Sequence, residues 1–578
     1  MAQVAWRGIA LAAALMGLAF LHPFECRAEN DVTYERGVAA ADHAAASQAG
    51  VEILQRGGNV VDAAVATGFA LSVVRPASSG IGGGGFMVIW DAEKKRGIAL
   101  DYRERAPARA SRDMYVDLGD PKKVRPDASE HGHLAVAVPA HVAGLCFALR
   151  EYGTLDLKTV LAPALRLCRE GVPVDQHDLA VQNEVIKDFA DHPEYREKFA
   201  TLYRLYVNDG KPWKHGDRFR SPLARVLELI AEKGADGFYR GEVAESIAAE
   251  MRRGSGLITL EDLAAMKPAV REPLTGRFGR YTILAMPPPS SGGVALLETF
   301  NVLSAVEARH PGAGLSKLSH NSPLYLHLLA ESFKHAFADR AAYLGDADFA
   351  KVPVARLTSR DYARESARRI DLARTQRPEA YGRLATPDDG GTSHFSILDA
   401  RGNAVACTET INTHFGSYVV EPKFAIVLNN EMDDFTSLPG VPNAFGLIQS
   451  EANAIEPGKR PLSSMTPTIL VREGRAEFVV GASGGPRIIT ATAQVLLNMV
   501  RFDMTPRAVV DAPRIHHQWA PDELEVEANF MATPELKEMR HALRVHRDGA
   551  VVQAASRDGT GRLRAASDHR KAGRAAGF

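Results

Sequence analysis

The segments TSHFSILD (Thr392 to Asp399) and AVACTETIN (Ala404 to Asn412) are two β-rich runs joined by Ala400, Arg401, Gly402 and Asn403. Gly402 and Asn403 tolerate the backbone that a tight hairpin needs. With the turn centred on Arg401, Thr392 lies across from Thr410. Facing Cβ atoms in such a ladder are about 4.5–5.5 Å apart and diagonal ones about 7–8 Å, so Asn412 also reaches the first residue of the strand. Two hydroxyls and an amide gathered there could support acyl transfer, although threonine is a good strand former and the hairpin taken alone favours packing. A second pattern lies in GASGGPR, where Gly481, Ser483 and Gly485 fit the GxSxG turn of serine hydrolases, with Asp511 and His516 or His517 downstream in Ser, Asp, His order. Pro486 follows closely, the flanking strands do not read as a long parallel series, and that reading leaves Thr392 without a role. His131, His133, His516 and His517 have no carboxylate or cysteine at ligand spacing, so no metal site is expected from them.

The elements that must carry these residues change character along the chain. From Ala39 to Val74 an Ala-rich run reads as two helices, broken by Gly57, Gly58 and Asn59 as C-cap and next N-cap. SSGIGGGGF (Ser78 to Phe86) then leads into a β-hairpin made of FMVIW, the turn DAEKKRG and IALDYRE. Its glycines let backbone approach backbone or ligand; no Lys-Ser/Thr pair follows, which argues against a phosphate cradle. Between Leu134 and Arg383 helical spacing dominates, in HVAGLCFALREYG, LKTVLAPALRLCREG, PLARVLELIAEKG and SPLYLHLLAESFKHAFADRAAYLG. MPPPSSGGVAL (Met286 to Leu296) interrupts it with extended backbone leading into another helix. After Arg383 short strands prevail, with one long helix in ATAQVLLNMV. The alternation implies stacked sheet and helix layers, an α/β or α+β body.

A chain of 578 residues exceeds one ordinary domain core, so it forms two or three domains or one large layered body. Hydrophobic residues make up 46% and charged residues 24%, as in ordinary globular proteins. Sixty-nine basic against seventy acidic residues argue against a nucleic-acid groove or a broad membrane-binding face and favour a small-molecule partner. Arg7, the apolar run Ile9 to Phe20 and the small residues Cys26 and Ala28 have the layout of an export signal cut near Ala28. The run is shorter than the roughly 20 residues that span a bilayer. A lipid on Cys26 is the lesser alternative, weakened by Phe24 and Glu25. Past that cut only Cys146, Cys168 and Cys407 remain, an odd number set among apolar neighbours, so buried thiols rather than a disulfide framework are expected.

Read together, DDGGTSHFSILD, NNEMDDF, RPLSSMTPTI, GASGGPR, DYRERAP, SSGIGGGGF and MPPPSSGG form a set. From about Glu35 to the C-terminal ASDHRKAGRAAG the chain resembles the γ-glutamyltranspeptidase (glutathione hydrolase) family. The resemblance implies an α+β N-terminal-nucleophile hydrolase with a four-layer αββα sandwich and no cofactor. It implies a precursor whose signal (1–28) is removed and which cuts itself between Gly391 and Thr392, giving a large subunit (29–391) and a small subunit (392–578) that stay together as a heterodimer. A threonine hydroxyl is a weak nucleophile at neutral pH, whereas its own free α-amine, with pKa near 8, can act as its base. Gly391, lacking a Cβ, tolerates the strained backbone of an N-to-O acyl shift.

By matching motif, Arg103 is implied to bind the α-carboxylate of the γ-glutamyl group with the hydroxyls of Ser463 and Ser464. Asn412, Glu431 and Asp434 are implied to hold its α-ammonium, the backbone N–H groups of Gly484 and Gly485 to form the oxyanion hole, and Thr410 to hydrogen-bond Thr392 and assist self-cleavage. Glutathione or another γ-glutamyl donor would pass its acyl group to water or to an amino-acid or peptide acceptor. One position departs from the family's bacterial pattern: GVPNAFG places Phe445 where a lid tyrosine often stands, so no hydroxyl is available to bond Asn412 and the lid is expected to close by packing. That keeps open a glutaryl-type (cephalosporin) acylase of the same family. A non-catalytic binding protein with this fold is the third alternative.

Overall fold

The computed structural model describes residues 32–381, 392–528, 530, 532–546 and 549–578. Gly391 and the export segment lie outside the described residues. Thirteen strands build the two main sheets: β1 (Gly37–Ala41), β2 (Gly84–Asp91), β3 (Arg96–Tyr102), β4 (Ala269–Arg271), β5 (Leu274–Phe278), β6 (Tyr281–Ala285), β7 (Ser393–Asp399), β8 (Ala404–Thr410), β9 (Thr468–Arg472), β10 (Arg475–Ser483), β11 (Val551–Arg557), β12 (Leu563–Ser567) and β13 (Ala576–Gly577). The first sheet runs β13-β1-β7-β8-β2-β3-β4 and the second β12-β11-β10-β9-β6-β5. β7 and β8 face β10, and β7 also faces β11, so the sheets stack.

Helices cover both outer faces. α1 (Ala44–Gln55) and α2 (Val60–Val74) lie on the first sheet, with α3 (His141–Tyr152), α4 (Leu157–Glu170) and α5 (Ala224–Lys233) in the layer outside it. α6 (Gly292–Arg309), α7 (Pro323–Tyr343) and α8 (Arg487–Arg501) cover the other side, α8 packing on β10. The result is the expected αββα layering, with Thr33–Phe578 forming one unit rather than separate domains. No helix among the described residues is long and apolar enough to cross a membrane. Cys146, Cys168 and Cys407 are free thiols; Cys168 and Cys407 are buried and Cys146 partly exposed.

Local chemistry explains most boundaries. Gly57, at φ +89°, ends the first helix, and Asn59 starts the second with a reciprocal cap: its Oδ1 accepts from Val61 N at 2.8 Å while Asp62 Oδ2 accepts from Asn59 N at 2.7 Å. One expectation needs correction. Ala39, Ala40 and Ala41 belong to strand β1, not to a helix, because the run GVAAA is wholly buried between β7 and β13, where small side chains fit and ladder bonds outweigh alanine's helix preference. Helices dominate between Leu134 and Tyr381, with β4, β5 and β6 falling inside that stretch and joining both sheets.

The glycine run before β2 serves close backbone packing rather than a ligand. A Cβ on Gly82 would lie 2.0 Å from Val427 O, and one on Gly83 2.0 Å from Thr410 O. Gly83→Ala should therefore push β2 off the end of β8 and cost about 3 kcal/mol of stability. Thermal unfolding checks this, and a wild-type melting temperature would contradict it.

Candidate active site

The β7–β8 ladder pairs Ala404 with Leu398 and Glu409 with Ser393, the register expected from the sequence. Its continuation sets Thr392 opposite Thr410, and their hydroxyl oxygens are 3.3 Å apart. Thr410 Oγ1 also accepts the Asn412 N–H at 2.8 Å. Asn412 takes φ +80°, a conformation asparagine tolerates better than most residues, and its Nδ2 donates to Asn430 O at 3.1 Å.

Thr392 and Thr410 open onto a small cavity lined also by Arg103, Asn412, Asp434, Phe445, Ser463, Ser464 and Gly485. Arg103, just beyond the end of β3, is fully buried, and its guanidinium pairs with Glu431 and Asp434. Its Nε donates to Pro461 O at 3.3 Å. Burial opposes the charge, yet the two carboxylates hold Arg103 above its ordinary pKa. Glu431 and Asp434 therefore do not wait as bare ammonium acceptors; in this state they hold the arginine, and Glu431 stands behind it. A single guanidinium is the nearest compensation for two desolvated carboxylates.

A second arginine was not foreseen. Arg340, on α7, donates from Nε to Ser291 Oγ at 3.0 Å and from Nη2 to Ser464 Oγ at 3.3 Å, while Ser291 Oγ donates to Ser463 O at 2.6 Å. Burial lowers Arg340 to about 10, so it remains charged at neutral pH. The MPPPSSGG motif thus fixes the serine pair of RPLSSM. Arg340 carried no signal because α7 buries His327, Glu331, Lys334, Asp339 and Arg340 alike, and its periodicity does not single one out.

Gly484 and Gly485 have φ +123° and +52°, backbone that favours glycine, where β10 turns into α8. Gly485, Pro486 and Ile488 line the cavity, so the positive end of α8 faces Thr392. The loop carrying Phe445 is held by the NNEMDD run: Ala444 N donates to Asp433 Oδ2 at 2.8 Å and Asn443 Nδ2 to Asp434 Oδ1 at 3.1 Å. Phe445 itself is buried and lines the cavity.

The serine-hydrolase pattern is not assembled. Ser483 Oγ lies 3.4 Å from Asp42, His516 is engaged by Thr490 at 2.9 Å and Gln518 at 3.0 Å, and Asp511 is bonded by Arg507. Gly481 has a packing role, since a Cβ there would lie 2.2 Å from the buried ring of His394. Among the described residues, His327, Glu331 and His541 place ligand atoms within 4.8 Å of one another. That group is already satisfied: His327 bridges His541 at 2.8 Å and Asp371 O at 2.7 Å, and Glu331 bonds Thr375 at 2.6 Å and faces Lys334 at 3.3 Å. It ties Asp371–Tyr381 to α7.

The layered fold and the threonine pair beside a charged cavity define an N-terminal-nucleophile type of hydrolase. Residues 46–578 match the family described as Gamma-glutamyltranspeptidase, and the chain belongs to that family. It is 42% identical over 546 residues to the "Glutathione hydrolase proenzyme" of Escherichia coli (strain K12), covering 91% of this chain and 90% of that one. Among solved structures it is similar to a cephalosporin acylase from Bacillus halodurans (TM-score 0.82, 28% identity, 95% and 96% of the two chains). It is also similar to the γ-glutamyltranspeptidase of Helicobacter pylori (TM-score 0.53, 39% identity), whose chain is matched over 93% of its length and spans 59% of this one.

Glu104, beside Arg103 at 3.6 Å, supplies a pH test of the cluster. Burial pushes its carboxyl up to about 8, against the pull of Arg103. A raised folded-state pKa means that its contribution to stability is full below the unfolded value near 4.3 and is lost as pH rises through about 8. Glu104→Gln, a shape mimic of the protonated acid, should gain stability over the wild type across that window, by on the order of a few kcal/mol at its alkaline end. A difference in melting temperature that stays flat with pH would contradict this.

Proposed function

We propose that this chain is an exported glutathione hydrolase and γ-glutamyltransferase, made as one polypeptide that cuts itself between Gly391 and Thr392 and then uses Thr392 as its nucleophile. The observation that carries the proposal is the meeting of the Thr392 hydroxyl, 3.3 Å from that of Thr410, with a buried cavity bounded by Arg103, Asp434, Asn412, Ser463 and Ser464. Opposed charges in one small cavity suit a zwitterionic amino-acid head. The name "proenzyme" of the Escherichia coli relative supports processing, as does the partial span of the Helicobacter chain. The export layout of the first 28 residues supports a periplasmic or secreted location.

The mechanism follows from the positions. Once the amide before Thr392 is cut, its nitrogen becomes a free amine that accepts the hydroxyl proton, and Oγ1 attacks the γ-carbonyl carbon of the donor. The N–H groups of Gly484 and Gly485 stabilise the resulting oxyanion, each such donor being worth about 2.7–4 kcal/mol. The proton moves to the departing amine, leaving a γ-glutamyl ester on Thr392. Water, or the amine of an amino acid or peptide, then attacks that ester with the same base in reverse. The substrate's α-carboxylate takes Arg103 with Ser463 and Ser464, which releases Asp434 and Asn412 to take its α-ammonium.

The rival glutaryl-type acylase is favoured by the likeness in fold to the Bacillus halodurans enzyme. A glutaryl group has no ammonium and would leave Asp434 without a partner when Arg103 turns to the acid. Rates on γ-glutamyl and glutaryl anilides decide between them: the γ-glutamyl compound should be faster by on the order of a hundredfold or more. Preference for the glutaryl compound would overturn the assignment. Thr392→Ala should remain one uncut, inactive chain on a denaturing gel, whereas Ser483→Ala should still mature; the opposite pattern would make Ser483 the nucleophile.

A further inference from the structure

The tail of the chain returns to the head of β7. β13 pairs with β1, and just before it a short turn, His569–Lys571, points one side chain inward. The buried Lys571 ammonium donates to Thr392 O at 2.5 Å, lies 3.5 Å from Ser393 Oγ and is paired with Asp42 at 2.8 Å. Its surroundings are fixed on every side. Asp42 also receives Gln553 Nε2 at 2.6 Å from β11 and faces Ser483 Oγ from β10. Arg75, just after α2, donates to Lys571 O at 3.0 Å and is itself paired with Asp175 and Asp178 at 2.5 Å. Burial pulls the Lys571 ammonium below its ordinary pKa, and Asp42 pulls it back up.

Ladder pairing of β7 ends at Ser393, so Thr392 stands one residue beyond it. After self-cleavage no chain precedes Thr392, and contacts to its hydroxyl and to its carbonyl help to orient it. An ammonium on that carbonyl lies within about 6 Å of the same residue's nitrogen, by bond lengths alone. A positive charge at that range disfavours a second positive charge on the amine. Across the cavity Arg103 acts in the same direction and Asp434 against it, while Asp42 partly offsets Lys571 from behind.

We propose that Lys571 is the positioning residue of the nucleophile: it aligns Thr392 through its carbonyl and keeps the new N-terminal amine neutral, ready to act as base. This rests on the reading of Thr392 as nucleophile and of its amine as base. The test uses processed enzyme and a γ-glutamyl anilide over a range of pH. Lys571→Met should lower kcat roughly 10–100-fold with KM changed less than about threefold, since alignment rather than binding is lost. Its acid limb of kcat/KM should move up by about half a pH unit or more, because the amine now protonates more readily. Lys571→Arg, which keeps donor and charge, should restore both within a few fold. If Lys571→Met does not fold because Asp42 is left unpaired, Asp42→Asn combined with Lys571→Met removes both charges, and the same loss of kcat with a smaller upward shift is expected. An unmoved acid limb, or a wild-type kcat, in the folded variant overturns the proposal. Failure of the underlying reading looks different: Thr392→Ala would then keep its turnover.

Discussion

One constraint governs the structure: the register of the β7–β8 hairpin, which sets Thr392 across from Thr410 at the rim of a buried cavity. Side chains alternate faces along a strand, so a slip of one residue would turn Thr392 away from the cavity. The register is pinned from several directions. β7 is clamped between β1 and β8, and β8 runs against β2, where Gly83 and Gly85 let backbone meet backbone. The stacking of the second sheet, through β10 and β11, prevents the hairpin from tilting. Close packing of this kind leaves few alternatives for the one residue that must be placed to a fraction of an ångström.

The second constraint is charge. Arg103 and Arg340 stand with Glu431 and Asp434 among buried side chains, and burial raises Glu104 to about 8. Buried ions are tolerated only when paired, and here Arg103 pairs with Glu431 and Asp434. A zwitterionic ligand can exchange into that set without leaving any charge alone. This links a folding requirement, satisfied by ion pairs, to selectivity for an amino-acid head.

Much of this was legible in the sequence. The hairpin, its register and the four long helices followed from spacing and turn chemistry, whereas the set of motifs lining the cavity came from the family resemblance. What stayed hidden shares one cause, dependence on distant parts of the chain. GVAAA forms a strand because two neighbouring strands enclose it. β4 to β6 are short and lie between helices. Arg340 sits in a helix buried on all sides, and Lys571 acts on a residue 179 positions away. Glu431 and Asp434 were found by motif, but their pairing with Arg103 is a property of the closed cavity. The GxSxG match misled for the converse reason: its first glycine makes room for His394 and its serine faces Asp42.

The central claim is that a backbone break creates the base that activates Thr392. Peptide mass mapping of enzyme quenched during turnover of a γ-glutamyl donor tests it directly. The account requires the γ-glutamyl mass on a peptide that begins at Thr392. An adduct on Ser483, or on a peptide still running through the Gly391–Thr392 bond, would contradict it.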